Sequence, residues 1–356
     1  MKLLEYVDPF FDRQPPLEFI NELKEPVHIS APENWGRRNA EKDEADLRGG
    51  VKVVKEFEDP DGLLDTAYAD FQRFLSIHDI EGGSYPVRIV FAPTECFEAY
   101  TIAAGPTECV ISAADTEGIR RALVYFEDEM LRRDGPYLPL KPISRKPFIK
   151  RRITRCFFSP TNRPPKNGEE LADDIDYYPE EYLNRLAHEG INGVWIYTLF
   201  RDLLPSTIIP EYGKDYRRRI DKLNRTIEKC KRYGIKVFVF GVEPGSTYWN
   251  PELLKSHRDM LGSKWAEEYY ALCLGTEKGA AFAEEATRTL FTLAPDLGGL
   301  ISITVGESCS HCASNGPEVN CPICGKKHAN EVLAEAESIL ARGMHSVKPD
   351  AEFISW

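Results

Sequence analysis

The sequence predicts an α/β chain in two parts, a small N-terminal α/β domain and a (β/α)8 barrel of which about five strands are present. Three observations predict it. Beyond residue 150, near-continuous apolar strands alternate regularly with helices, the pattern of a parallel sheet covered by helices. A break at residues 135–147 holds Pro136, Pro139, Pro142 and Pro147, which can continue neither a helix nor a central strand. Unusual polar residues gather in the loops after successive strands, at 161–162, 201–202, 243–246 and 307–324. No Gly-rich dinucleotide turn follows the first strand, and function-bearing loops at strand carboxyl ends favour a barrel over an open doubly wound sheet. The expected division is residues 1–135, a proline-rich linker at 136–150, and a barrel at 151–356.

In chain order, PVHIS (26–30), VKVVKEF (51–57), VRIVFAP (87–93), AYTIAAG (99–105) and ECVISAAD (108–115) read as strands, giving a largely antiparallel sheet. Leu63, Leu64, Ala67, Tyr68, Phe71, Phe74 and Leu75 recur at helical spacing, and a second helix at 116–133 takes its cap from Asp115 or Thr116. In the second part, strands are expected at 151–158, 192–200, 235–244, 299–307 and 351–356. Helices are expected at 179–190, 216–233, 251–293 and 329–347, the first with Pro179 near its start and Gly190 as its stop. A barrel needs roughly 250 residues, and this chain stops within its fifth strand. The expectation is therefore a truncated chain, or a barrel completed from elsewhere.

Composition narrows the function. Of 356 residues 42% are hydrophobic and 11% aromatic, as in an ordinary globular protein. The formal charge of −12 gives no electrostatic support for a nucleic-acid partner, despite basic clusters at 150–155 and 217–219. No apolar run is long enough to span a membrane. The first residues reach Glu5 and Asp8 before any apolar signal segment forms, so a cytoplasmic protein is expected. Nine cysteines, four of them in one loop, fit a reducing compartment better than a disulfide framework.

Several residues are candidates for chemistry. Glu307 follows ISITVG at the carboxyl end of the fourth barrel strand, where a carboxyl raised by apolar walls can protonate a leaving oxygen. Glu243 ends the third strand and is a candidate partner carboxylate or hydrogen-bonding group for sugar hydroxyls, with a loop Glu held by the Pro244-Gly245 turn as the alternative. Arg151 and Arg155 share one face of the first strand; each is either a sugar-binding fork or half of a buried ion pair. Tyr197, Tyr248 and Trp249 are candidate stacking platforms, with core packing as the alternative. Cys309-x-x-Cys312 and Cys321-x-x-Cys324 have the spacing of a tetrahedral structural zinc site. Reduced thiols or a disulfide are the alternatives, and His311 or His328 could stand in for Cys309.

The phrase Pro147-Phe148-x-x-Arg151, after an α/β domain and a proline-rich link, resembles the opening of the barrel in family 20 β-hexosaminidases and α-glucuronidases. The stretches YGIKVFVFGVEP, PDLGGLISITVGE and CPICGKKHANEVLAE resemble an uncharacterised bacterial group related to family 20. The resemblance implies a glycoside hydrolase acting on an oligosaccharide or glycoside, with Glu307 as general acid and an Arg holding sugar hydroxyls. Family 20 enzymes carry an Asp-Glu pair at this point. Here the pair is Gly306-Glu307, so the residue that positions an N-acetyl group is missing. The alternative is a non-catalytic carbohydrate-binding or regulatory protein on a degenerate barrel. An unfinished barrel would expose apolar strand edges and favour a homo-oligomer.

Overall fold

A computed structural model describes residues 19–30, 35–155, 157, 169–248, 250–306, 310–315 and 319–356. The first half opens with α1 (Phe19–Glu22) and a 3-10 turn at Val27–Ser30, where a strand was expected. That segment has no neighbouring strand to pair with, and it turns His28 inward against Phe74 instead. There follow β1 (Glu44–Asp46), β2 (Val51–Lys55), α2 (Asp65–Ile77), β3 (Tyr85–Phe91), β4 (Tyr100–Ala104), β5 (Cys109–Ala113), α3 (Thr116–Arg132), β6 (Tyr137–Pro139) and β7 (Ile143–Arg145). Asp115 caps α3 by accepting from the Gly118 N–H at 2.8 Å.

The main sheet here has the order β2-β3-β5-β4-β7 and is mixed, not largely antiparallel. β2, β3 and β5 run parallel, because α2 crosses over between β2 and β3 and a crossover returns the chain in the same direction. Only β4 is antiparallel to both its neighbours. α2 and α3 close one face of this sheet around Phe71, Phe74, Leu123 and Phe126.

The second half comprises β8 (Ile153–Thr154), α4 (Glu180–His188), β9 (Gly193–Tyr197), α5 (Phe200–Leu203), α6 (Tyr216–Lys231), β10 (Lys236–Gly241), α7 (Leu253–Ser256), β11 (Leu261–Ala266), β12 (Tyr269–Leu272), α8 (Glu277–Leu293), β13 (Gly299–Ser302), α9 (Ala329–His345) and β14 (Glu352–Ser355). Strands β14-β13-β10-β9-β8 form one wholly parallel sheet. Side chains alternate as strand geometry requires. Val194, Ile196, Val237, Val239 and Leu300 join the core shared with the helices. Trp195, Phe238, Phe240, Ile301 and Ile354 form a separate cluster on the other, inner face.

A further expectation, in the second half, needs correction. Residues 251–293 are not one helical region: the β11–β12 hairpin interrupts them, turning at Glu268 with a φ of 59°. Gly262 in this hairpin faces the Cys312 Sγ so closely that a Cβ would lie 2.2 Å from it, so only glycine fits. Of the two readings offered for Arg151, the structure shows the ion pair. Its Nε donates to both carboxylate oxygens of Glu352, at 2.7 and 2.8 Å. This fork joins the two outermost strands across the inner face at their amino ends, which requires the sheet to curl, and a half-buried Arg gains from such a partner.

The two halves meet around Glu98, which is only 2% exposed. Its carboxylate accepts from Arg152 at 2.5 Å and from the Asn192 amide at 3.0 Å, with Arg121 3.6 Å away.

Candidate active site and thiol cluster

The carboxyl ends of the parallel sheet carry the residues singled out above. From β13 the chain continues through Ile303 and Thr304 to Gly306, whose φ of 97° lies where glycine is favoured. A Cβ at Gly306 would meet nothing within 4 Å, so conformation rather than space is what an Asp would violate there. Glu307 lies outside the described residues, as do Cys309, Trp249 and residues 161–162. The loop is fastened on both sides of them. The Gly306 N–H donates to the Ser314 carbonyl at 2.8 Å, and the Ser310 hydroxyl donates to the Ile303 carbonyl at 3.2 Å.

Around this point the inner face is aromatic. Trp195 packs on Phe240 with ring centroids 4.1 Å apart, and half-buried Tyr197 lies 6.3 Å from the same ring. Trp356, which the sequence reading did not single out, stands edge-on to Phe240 at 5.7 Å and remains 63% exposed. Its position just past β14 was the available signal. Arg155 is exposed and has no ion-pair partner among the described residues. Tyr248 is exposed beside Tyr269, 5.6 Å between centroids, with Trp265 next in line.

Glu243 takes a different place from the one expected of a partner carboxylate. Its neighbour Val242 belongs to the inner cluster, whereas the Glu243 carboxylate accepts from the Phe200 N–H at 2.6 Å, and Phe200 is part of the helix-side core. Its own carbonyl accepts from the Ser302 hydroxyl at 3.1 Å. Burial pushes its carboxyl up to about 8, against the opposing effect of the Phe200 N–H. Glu243, its carboxyl raised by burial, thus ties β10, β13 and α5 together beneath the loops.

Beyond the Glu307 loop four of the described cysteines assemble. Cys312, Cys321 and Cys324 meet Cys273, which follows β12, and the four Sγ atoms lie within 4.8 Å of one another, all buried. Cys273 Sγ is 3.6 Å from both Cys321 and Cys324. A tetrahedron with ~2.3 Å metal–sulfur bonds has edges of about 3.8 Å, so the thiols already sit at zinc-binding separation. The Ser263 N–H points at Cys312 Sγ (3.4 Å) and the Cys324 N–H at Cys321 Sγ (3.5 Å), the outer-shell support thiolate ligands need. Hydrogen bonds from Cys312, then Cys324, hold the Cys273 thiol well below its ordinary value.

Neither His311 nor His328 takes the fourth place. His311 Nδ1 accepts from the Ala313 N–H at 3.2 Å and burial pushes it down to about 4, while His328 precedes α9. Cys273 was missed because it lies 39 residues before Cys312, outside any C-x-x-C spacing, and only the hairpin returns it to the loop.

No family model matches the chain, and no curated protein matches it in sequence. Solved structures do match. A family 138 glycoside hydrolase (GH138) targeting pectin rhamnogalacturonan II superposes with a TM-score of 0.60 at 13% identity, over 83% of this chain and 33% of that one. The β-N-acetylhexosaminidase of Bacteroides fragilis NCTC 9343 gives 0.54 at 14% identity, over 92% and 65%. The Flavobacterium johnsoniae chitobiase gives 0.55 at 13% identity, over 92% and 52%. The chain therefore spans between one third and two thirds of the length of these enzymes. The chain shares its fold with the matched part of these glycoside hydrolases.

Proposed function

We propose that this chain is part of a glycoside hydrolase, with an α/β domain whose sheets run on through β6 and β7 to Arg145 and strands of a (β/α)8 barrel contributed by residues 151–356. The enzyme acts on a carbohydrate chain from its end, and Glu307 donates the proton to the departing glycosidic oxygen. The observation carrying this reading is the anchoring of the Glu307 loop. It leaves the carboxyl end of β13, is tied at Gly306 and Ser310, and runs into the four-thiol cluster beside an aromatic inner face. A zinc ion on Cys273, Cys312, Cys321 and Cys324 has all four positions filled by protein. Its role is to hold that loop, and the thiolates suit a reducing, cytoplasmic setting.

Trp356, Tyr197 and Arg155 are the sugar-contacting groups in this reading, and Glu243 supports the strand ends from behind. Gly306 in place of an Asp removes the group that would orient an N-acetyl substituent, so the substrate is a sugar without that requirement. The test is turnover of a panel of aryl glycosides by the longest available product of the gene, beside its Glu307→Gln variant. Loss of turnover with sugar affinity retained supports a hydrolase. Sugar binding without turnover in the unaltered protein overturns catalysis and leaves a carbohydrate-binding protein.

A further inference from the structure

A second group of side chains of the metal-ligand type lies where the helices of the two halves meet. Asp70 of α2 and Glu127 of α3 come from the first half, and His188 ends α4 in the second. His28, in the 3-10 turn, completes the group, and one ligand atom from each lies within 4.8 Å of the others. His188 Nε2 is 2.7 Å from one Asp70 oxygen, and His28 Nε2 is 3.3 Å from the other and 3.7 Å from Glu127. Asn184, one turn before His188, donates to Asp70 at 2.7 Å and orients that carboxylate.

Two features distinguish this cluster from a hydrogen-bonded network. His28 has a side chain only 5% exposed, and its Nε2, aimed into the group, lies 3.3 Å from Asp70 without the geometry of a full hydrogen bond. The Glu127 carboxylate, on a residue 2% exposed, accepts no hydrogen bond from any described residue. Two carboxylates this close and this buried are costly unless one holds a proton or a cation lies between them. Two imidazoles and two carboxylates form a tetrahedral donor set suited to zinc or a similar divalent transition metal.

We infer that His28, Asp70, Glu127 and His188 bind a divalent transition metal that staples α2 and α3 of the first half to α4 of the second. With four protein ligands the ion is structural. By fixing α4, it fixes the helix that leads into β9. The remaining titratable neighbours, His78 and Asp128, lie outside the ligand group.

The test uses the 356-residue chain, stripped of metal and titrated with Co²⁺. Cobalt on thiolates shows a sulfur-to-metal charge-transfer band; cobalt on imidazole and carboxylate shows only d–d absorption. The expected result is one equivalent per chain that adds d–d intensity without charge transfer, whatever the thiol cluster does. Glu127→Gln and His188→Gln should each abolish that equivalent and leave any charge-transfer band intact. The proposal is overturned if every bound cobalt in the unaltered chain carries charge transfer, or if folded Glu127→Gln and His188→Gln bind as much metal as the unaltered chain. Should neither variant fold, the titration of the unaltered chain still decides.

Discussion

Replacing Glu243 by Gln isolates the energetics of a buried acid. The variant keeps an oxygen to accept the Phe200 N–H and removes only the titration. In the folded chain burial raises this carboxyl to about 8, from an ordinary 4.5 when unfolded. At ~1.36 kcal/mol per pH unit, that gap corresponds to about 5 kcal/mol between protonation states. The sign follows from proton counts. Between the two values the folded chain holds a proton that the unfolded chain has released, so stability falls as pH rises. The fall begins near the unfolded value and flattens above about 8. Urea unfolding of both proteins at pH 5, 6, 7, 8 and 9 should show the unaltered chain losing about 3 kcal/mol relative to Glu243→Gln between pH 5 and 8. Parallel stability curves would refute the reasoning, since they would mean that Glu243 is ionised and solvated in the folded protein.

Three further outcomes are expected. Cys273→Ser should lose one zinc equivalent per chain by elemental analysis and lower the thermal midpoint, whereas Cys96→Ser, at an exposed thiol, should change neither. Arg151→Met should destabilise the chain to urea, and a double-mutant cycle with Glu352→Gln should return a coupling of about 1–3 kcal/mol, because the fork joins the outermost strands. Gly306→Asp should cost about 1–3 kcal/mol of stability through its backbone conformation, and should not confer N-acetylhexosaminide cleavage in a turnover assay.

The alternation of strand and helix after residue 150 was legible in the sequence because each parallel strand is apolar on both faces and each covering helix has one apolar stripe. Those are local patterns. Asp115, Pro179 and Gly190 marked helix ends for the same reason: capping and stopping act within a few residues. The C-x-x-C pair at 321 and 324 was likewise visible, from its spacing.

What the local pattern could not carry is pairing at a distance. Cys273 joins the thiols only through the β11–β12 hairpin, which the sequence disguised as helix because Trp265, Glu267, Glu268 and Tyr270 suit either form. Arg151 reads equally as a sugar fork or an ion pair until β14 brings Glu352 to it across the curled sheet. Glu243 has the sequence position of a catalytic carboxylate, yet the backbone beyond β10 turns it toward Phe200 and away from the inner face. His28, Asp70, Glu127 and His188 are spread over 160 residues without a motif. The sequence alone determined the elements and their order, because propensity and periodicity are properties of neighbouring residues. The partners of each buried charge and thiol were decided by the tertiary structure, because desolvation is relieved by whichever group the fold places within about 3 Å.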